Sequence, residues 1–332
     1  MKAIIPTAGL GVRLRPHTYT QPKGLLQVAG KPMLAHIVDE LVAAGVDEIV
    51  FVVGYLGEKI EAWARAQYGG LALHFVTQPQ PLGNGHAVYV AREYLDGKPT
   101  LVIFGDTIIK GDVAGLLHST RSMAGVKEVE DPRRLGVVEL DSTGNVRRII
   151  EKPQNPTNHM AVIGAYFIKN SAALREALDR LVREDRRMRG EFWLADALQL
   201  MVDAGERMGT FPIEHWYDCG TVDALLQANR DLLALTPPPI PAALASQVIP
   251  PSSVSSSAVL EGSVVGPHAS IGAGARIINS KVKDSIINAH TLIEGARLEQ
   301  SVVGEGAVIR KVQGKINVGA ASVLDLTLGQ EV

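Results

Sequence analysis

Apolar side chains near the end of the chain recur at intervals of six residues. Positions that share this step are Val259, Val265, Ile271 and Ile277, then Ile287 with Ile293, and Val303 with Ile309. Glycine follows three of them, as Gly266, Gly272 and Gly304. Such a period is typical of a solenoid, in which short parallel strands stack as successive coils. A β-sandwich with accidental spacing is the alternative.

The spacing resembles the hexapeptide repeat of left-handed parallel β-helices. Steps of ten residues, from Ile277 to Ile287 and from Ile293 to Val303, interrupt the repeat twice. The stretch after the linker is long enough for roughly four coils of a three-sided solenoid. The resemblance therefore implies a short C-terminal β-helix.

Before that region, strand-like and helix-like segments alternate. "KAIIPTA", "VDEIVFVVG", "LALHFVTQ" and "TLVIFGD" are predicted strands, with helical spacing in "KPMLAHIVDELVAAG" and around residues 57–67 and 85–95. Alternation of this kind predicts an α/β fold with a Rossmann-like, mixed and mostly parallel sheet. Turn signals in residues 125–153 predict antiparallel strands there, and helices return at 171–184 and 192–204.

Composition then changes at "TPPPIPAALASQ", which is rich in proline and marks a linker. The sequence is accordingly divided into an α/β domain (1–235), a linker (236–247) and a β-helix (248–332).

Charge and composition exclude several classes of protein. The 332 residues contain 33 basic and 35 acidic side chains, a net charge of −2, which gives no electrostatic case for nucleic acid or an anionic membrane. The single cysteine, Cys219, allows no internal disulfide. Strand-like sequence from Lys2 leaves no room for a signal peptide, and no apolar run reaches the roughly 18 residues of a spanning helix. A cytoplasmic location is expected.

The first strand is followed by a basic loop, "GLGVRLRPHTYTQPKGLLQVAGKPM", residues 9–33. It lacks the Gly-Lys-Ser/Thr ending of a Walker A loop, and Leu14 stands where a dinucleotide fingerprint needs its third glycine. Backbone N–H groups at Gly9 and Gly11 can approach an anion closely. Arg13, Arg15 and Lys23 add charged donors that suit a polyphosphate, although a merely solvated basic loop remains the alternative.

This loop resembles the G-x-G-x-R…P-K signature of sugar-1-phosphate nucleotidyltransferases. "VAGKPML", "FGDT", "EVEDPRRLGVVEL", "EKP", "GAYF" and "WYDCGTVDALLQAN" follow in the order of that family. Together with the repeat tail, they are most similar to the long-form glucose-1-phosphate thymidylyltransferases. The resemblance implies that a sugar-1-phosphate oxygen attacks the α-phosphorus of a nucleoside triphosphate.

The resemblance also assigns catalytic residues. Arg13 would hold the leaving β- and γ-phosphates, and Lys23 would bridge the attacking phosphate and the α-phosphate. Asp106, at the end of a predicted strand, and Asp218 would hold Mg²⁺, an ion suited to carboxylates and substrate phosphates. A helix cap or a turn is the alternative role of each aspartate.

The base would be read at "TQPQPLGNGHAV". The amide of Gln78 offers an acceptor and two donors, which match N3–H and O4 of thymine or uracil, so dTTP or UTP is the expected substrate. By resemblance, Gly83 leaves space for the base and Gly85 opens the next helix. His86 matches a uridylyltransferase-like pattern, and a packing role is equally compatible with its position.

Sugar recognition is carried over from the family. The resemblance places backbone groups of Gly136 and Gly164 near sugar hydroxyls, with Glu151 as an acceptor and Glu191 in a further sugar-binding position. Lys152 would contact the sugar phosphate and is counted with the catalytic residues. The partner substrate is a hexose-1-phosphate, expected to be glucose-1-phosphate.

Other functions fit parts of the same sequence. They are uridylyl transfer to N-acetylglucosamine-1-phosphate, guanylyl transfer to mannose-1-phosphate, acyl transfer by the β-helix using His268 or His290, and regulation by a non-catalytic homologue that binds nucleotide sugars. A homo-oligomer is expected. Val12, Gly24 and Asn84 depart from the family pattern without removing a charge that transfer needs.

Overall fold

The computed structural model describes residues 1–156 and 158–327. Up to residue 235, the strands are β1 (Lys2–Pro6), β2 (Gln27–Val28), β3 (Lys31–Pro32), β4 (Glu48–Val53), β5 (Ala72–Thr77), β6 (Thr100–Ile103), β7 (Thr107–Lys110), β8 (Ser122–Glu128), β9 (Gly136–Leu140), β10 (Val146–Glu151), β11 (Met160–Ile168), β12 (Met208–Pro212) and β13 (His215–Asp218). The helices are α1 (Met33–Ala43), α2 (Gly57–Tyr68), α3 (Asn84–Val90), α4 (Val113–Leu117), α5 (Ser171–Arg183), α6 (Leu194–Asp203) and α7 (Val222–Leu235).

The chain forms two compact units. Met1–Leu10 and Leu34–Tyr217 form the first unit; Gly11–Met33 and the residues from Asp218 onward form the second. Most of the basic loop and helix α7 therefore group with the C-terminal region rather than with the α/β sheet. The domain boundaries drawn from the sequence stay a prediction.

The first unit is built on a nine-stranded mixed sheet. Its parallel core has the order β6-β1-β4-β5, and β11 adds to β6 in the antiparallel direction. Strand β4 is buried from Ile49 to Val53, the continuous apolar run expected of a central parallel strand covered on both faces. The antiparallel pair β9–β10 confirms the expectation for residues 125–153.

The carboxyl ends of the parallel strands meet at one edge of this sheet. Gln78 directly follows β5, and Asp106 lies in the turn between β6 and β7. Ligands of open α/β sheets characteristically bind at this edge. The local order of strand and turn thus brings two predicted site residues to the expected side of the sheet.

The second unit contains a solenoid of three parallel sheets, which confirms the predicted left-handed β-helix fold. Its strands are β14 (Ser253–Val254), β15 (Val259–Glu261), β16 (Val264–Val265), β17 (Ser270–Ile271), β18 (Arg276–Ile278), β19 (Lys281–Lys283), β20 (Ile286–Ile287), β21 (Leu292–Glu294), β22 (Arg297–Glu299), β23 (Val302–Val303), β24 (Val308–Arg310), β25 (Gln313–Gly314), β26 (Asn317–Val318) and β27 (Val323–Asp325). Two sheets have five strands and one has four, so the described part holds between four and five coils.

The coils are shorter than a strict hexapeptide repeat. Ile271 is paired with Ile287 on the next coil, a step of 16 residues rather than 18. Val282 and Leu298 are buried between the positions that the ten-residue steps separate, so each such step is two five-residue sides. The buried position of the first side is one residue later than the six-residue step gives, since Val259 is 39% exposed and its neighbour Leu260 is buried.

Two features close the coils. Equivalent corner residues on successive coils have positive φ angles, namely Gly262 (56°), Asn279 (47°), Gly295 (61°) and Lys311 (52°). A Cβ atom at Gly304 would lie 2.3 Å from the backbone of the next coil.

No helix within residues 1–156 and 158–327 combines the length and the apolar character of a membrane-spanning segment.

Candidate active site

The basic loop is held in short turns rather than leading directly into a helix. Three 3₁₀ turns (Val12–Leu14, His17–Tyr19 and Lys23–Leu25) precede the β2–β3 hairpin, and α1 begins only at Met33. The segment between β1 and α1 is thus 26 residues long, from Thr7 to Pro32. Any anion bound here would meet side chains and turn N–H groups.

Gly11 brings the start of the loop against Lys23. Its φ of +59° is a conformation that side chains other than glycine rarely adopt. A Cβ atom at Gly11 would lie 2.8 Å from Thr18 Cγ2 and 3.2 Å from Lys23 Cβ. Thr18 donates its hydroxyl hydrogen to the Gly11 carbonyl at 2.9 Å. Gly9 lies in the first unit, is exposed, and has open space around its Cα.

The side chains of Arg13 and Asp218 both lie close to Gly220 in the second unit. A Cβ atom at Gly220 would lie 2.7 Å from Arg13 Nη2 and 2.9 Å from Asp218 Oδ1. Both side chains are exposed. The structure therefore brings together a cation from the loop and a carboxylate about 200 residues later. Arg15 is also exposed, with its guanidinium 4.8 Å from the centre of the Tyr19 ring.

The two predicted metal ligands fall in different units. Asp106 is half-buried in the first unit, and Asp218 ends β13 in the second. The described residues contain no cluster of three or more His, Cys, Asp or Glu side chains arranged for a metal. A Mg²⁺ site that uses both aspartates stays a prediction.

Gln78 is fixed by hydrogen bonds within the first unit. The side chain is 8% exposed, and its Nε2 donates to the Gly83 carbonyl at 3.1 Å and to His86 Nδ1 at 3.0 Å. His86 must then be neutral at Nδ1, in agreement with burial and the charge of Arg187, which lower its pKa. The amide orientation leaves Oε1 as the acceptor that Gln78 can offer to a base.

Gly83 and Gly85 make room for the neighbouring backbone. A Cβ atom at Gly83, where φ is +100°, would lie 2.5 Å from the Phe192 carbonyl oxygen. At Gly85 it would lie 2.7 Å from the Trp193 carbonyl carbon. Gly83 is the N-cap of helix α3, which begins at Asn84, one residue before the expected start at Gly85. The space beside Gly83 thus holds protein, and space for a base there stays a prediction.

Asn84 connects two helix starts, a role that sequence reasoning missed. Its Oδ1 accepts the Leu194 N–H at 2.8 Å, at the first residue of α6. Capping by asparagine is a recognisable preference, but the capped helix begins 110 residues later in the chain. Asn84 therefore fixes the start of α3 against the segment that contains Glu191 and Trp193.

Glu151 lies at the end of β10 among other acidic groups. Gly136 is opposite it in the register of β9 and β10, and a Cβ atom there would lie 3.1 Å from Glu151 Oε2. Burial raises the pKa of Glu151 to about 7; Lys152 opposes this rise, whereas Asp196 and Glu191 add to it. A carboxyl group in this state can donate or accept a hydrogen bond near neutral pH.

Lys152 is held by an aromatic ring as well as by charge. Its Nζ lies 3.8 Å from the centre of the Trp193 ring and 3.9 Å from Glu151 Oε1. Trp193 is in turn fixed by donation from Nε1 to the Met188 carbonyl at 3.2 Å. This cation–π contact was not predicted, because Trp193 has no sequence pattern that pairs it with Lys152.

Gly164 is the remaining residue of the sugar group. Its φ is +75°, and a Cβ atom would lie 2.5 Å from the ring of Phe104. The Gly164 carbonyl accepts the Phe104 N–H at 2.9 Å, just before Asp106. The first unit thus brings together Gly136, Glu151, Lys152 and Glu191, whereas Gly164 supports the strand end that carries Asp106.

Comparison with known proteins defines the class. The family model "Nucleotidyl transferase" matches residues 2–234, and the chain belongs to this family. It is a sugar-1-phosphate nucleotidyltransferase, as the expected motifs indicated.

Two curated relatives and one solved structure are particularly similar. Glucose-1-phosphate thymidylyltransferase of Streptomyces antibioticus is 31% identical, with 93% of each chain covered. The enzyme of the same name from Streptomyces griseus is 32% identical, over 94% of this chain and 90% of the relative. The fold resembles that of a UDP-glucose pyrophosphorylase solved with UDP-glucose, with a TM-score of 0.61 and 24% identity over 71% of this chain and 99% of the other.

Proposed function

We propose that this nucleotidyltransferase transfers the nucleotidyl group of dTTP, and less readily that of UTP, to glucose-1-phosphate. The observation that carries the choice of base is the fixed amide of Gln78, which presents Oε1 and uses Nε2 within the protein. Thymine and uracil have one imide N–H for that acceptor, whereas guanine presents two adjacent donors. The thymidylyltransferase names of the two Streptomyces relatives support dTTP and glucose-1-phosphate.

The proposed reaction is a displacement at the α-phosphorus. An oxygen of the sugar phosphate forms the new bond to this phosphorus, and the bond to the bridging oxygen of the β-phosphate breaks, so pyrophosphate leaves with the electron pair. The sugar phosphate is mostly doubly ionised at neutral pH, because its second pKa lies near 6. Positioning and neutralisation of charge are then the main tasks of the protein.

Each proposed group has a task in that displacement. Lys23 and Lys152 neutralise the phosphates that react, and Arg13 holds the pyrophosphate that leaves. Glu151 and Glu191 bind sugar hydroxyls. The carboxylates of Asp106 and Asp218 are hard oxygen donors, and Mg²⁺ is commonly held by one or two carboxylates with substrate phosphates, so the donors fit this ion. When bound, Mg²⁺ would neutralise charge on the phosphate oxygens.

A substrate matrix tests the proposal. dTTP, UTP, GTP, ATP and CTP are each combined with glucose-1-phosphate, N-acetylglucosamine-1-phosphate or mannose-1-phosphate, and pyrophosphate release is measured with Mg²⁺ or with EDTA. The proposal expects the highest kcat/KM with dTTP and glucose-1-phosphate, and loss of turnover with EDTA. A preference for GTP and mannose-1-phosphate, or binding without pyrophosphate release, would refute it.

A further inference from the structure

The last coils of the β-helix contact the basic loop within the second unit. His17 Nε2 donates to Asn317 Oδ1 at 2.6 Å, although the two residues are 300 positions apart. His17 is only 4% exposed and lies two residues after Arg15, while Asn317 begins β26. A partly buried hydrogen bond of this kind fixes the middle of the loop between Arg15 and Lys23.

A close backbone approach adds to this hydrogen bond. Gly319 is buried, and a Cβ atom there would lie 3.1 Å from Pro16 Cβ and 3.4 Å from Pro16 Cγ. Any larger residue at 319 would have to displace Pro16 or the coil. The loop therefore rests directly on the end of β26.

A second attachment holds the other end of the loop through Asn229 of α7. Asn229 is 1% exposed, and its Oδ1 accepts the Ala29 N–H at 2.9 Å and the Ser270 hydroxyl at 2.6 Å. Its Nδ2 donates to the His268 carbonyl at 3.0 Å. One buried amide thus joins the β2–β3 hairpin, α7 and the β-helix.

These attachments matter because the loop presents like charges. Arg13, Arg15 and Lys23 carry the same charge, and short 3₁₀ turns rather than a regular helix set the backbone of this segment. Holding such groups in place before the triphosphate binds reduces the conformational entropy lost on binding. The attachments lie on both sides of Lys23 along the chain, at Pro16 and His17 through the β-helix and at Ala29 through Asn229.

We propose that the β-helix positions the basic loop for nucleotidyl transfer, with Asn317 and Asn229 as positioning residues that act through His17 and Ala29. The inference rests on the proposed function for the role of Arg13 and Lys23, while the attachment itself is independent of the substrate. A solenoid domain then contributes to triphosphate binding without supplying a catalytic residue.

The test compares two identical chemical changes in the β-helix. Asn317→Leu removes the acceptor of His17, whereas Asn288→Leu removes an amide that donates to the Val303 carbonyl at 2.8 Å inside the solenoid. Asn317→Asp keeps an acceptor and serves as the conservative rescue. Amide hydrogen exchange of residues 11–33 is measured for each full-length variant, together with kcat, the KM of dTTP and the KM of glucose-1-phosphate.

Asn317→Leu is expected to speed amide exchange in the loop and to raise the KM of dTTP by about fivefold to tenfold, the effect of losing one hydrogen bond. The KM of glucose-1-phosphate should change by less than about twofold. Asn317→Asp should restore both values, and Asn288→Leu should change neither. Equal loop exchange and equal dTTP KM in the two leucine variants would overturn the inference.

The exchange measurement separates this inference from the proposed function. If wild-type protein released no pyrophosphate with any substrate pair, the proposed function would fail. Faster loop exchange in Asn317→Leu alone would still support the attachment, and unchanged exchange would refute it. Gly319→Val, which should displace Pro16, provides a second variant with the same expected result.

Discussion

The two units hold their predicted site residues in opposite ways. In the second unit, Arg13 and Arg15 are exposed cations on short turns, and the loop that carries them is attached to distant residues through His17 and Ala29. In the first unit, Gln78 and Glu151 are largely buried at the ends of strands. Exposed cations can bind phosphates of any nucleotide, whereas buried groups with fixed hydrogen bonds can discriminate between bases or sugars.

This contrast has an energetic reason. A solvated guanidinium or ammonium group costs little to keep in the free protein, and it gains most when a polyphosphate excludes water from it. A buried carboxyl or amide must already be satisfied, because burial of an unpaired polar group costs free energy. Arg13 and Lys23 of the second unit should therefore mainly affect the rate of transfer, whereas Gln78 and Glu151 of the first unit should mainly affect selectivity and pH response.

Lys23→Ala is expected to have the largest effect, and it tests whether the cations of the second unit determine the rate of transfer. Loss of this charge should lower kcat by about 10²–10³-fold, as for other groups that stabilise charge in a transition state. The ratio of kcat/KM values for dTTP and UTP should stay the same, because the proposed contacts of Lys23 are with phosphates rather than with the base. Steady-state pyrophosphate release measures both quantities.

Lys31→Ala is the matched control, since Lys31 is a lysine of the same loop on β3 and has no assigned role. A Lys23→Ala enzyme that kept more than half of the wild-type kcat would remove this residue from the mechanism.

Glu151→Gln tests the raised pKa of this buried carboxyl group through the pH dependence of the free energy of unfolding. The pKa of Glu151 is raised from 4.5 to about 7 in the fold, so the protonated form is favoured by folding. Its stabilising contribution is complete below pH 4.5 and is lost as the pH rises to about 7. At pH 8 the glutamine variant should exceed wild type in free energy of unfolding by up to about 3 kcal/mol, and at pH 4 the two should agree.

Urea unfolding of both proteins from pH 4 to pH 8 measures this difference. Glu130→Gln, a change at an exposed glutamate of the same unit, should show no such trend. A constant difference between Glu151→Gln and wild type across that range would contradict the raised pKa.

The sequence predicts local structure better than it predicts attachments. Strand β4 and helices α5 and α6 follow from apolar spacing within about ten residues, because side chains on one face must be buried together. The hydrogen bond from His17 to Asn317 has no local signal, since it depends on how coils stack far along the chain. The same holds for the contact of Lys152 with Trp193.

The β-helix shows which structural details a repeat in the sequence does not predict. A shift of one residue moves a strand side chain from the core to the surface, and here Leu260, rather than Val259, is buried. The six-residue step predicts the solenoid correctly, but sides of five residues become apparent only where Val282 and Leu298 are seen in the core. For the candidate site, the sequence proposes residue types but gives no signal for the fixed orientation of Gln78.

Gln78→Glu tests selectivity with the smallest expected effect. A carboxylate cannot donate to the Gly83 carbonyl and His86 Nδ1, so the variant loses the two hydrogen bonds that fix the wild-type amide. It also presents two acceptors to a base. We expect kcat/KM for dTTP to fall about tenfold, and the ratio of GTP to dTTP turnover to rise, because one good base contact is worth about 1–3 kcal/mol.

Gln80→Glu, a change at an exposed glutamine two residues later, is the matched control and should leave the ratio unchanged. Equal GTP to dTTP ratios in the Gln78→Glu and wild-type enzymes would mean that a residue other than Gln78 recognises the base. The assignment of base selectivity to Gln78 in the first unit would then be wrong.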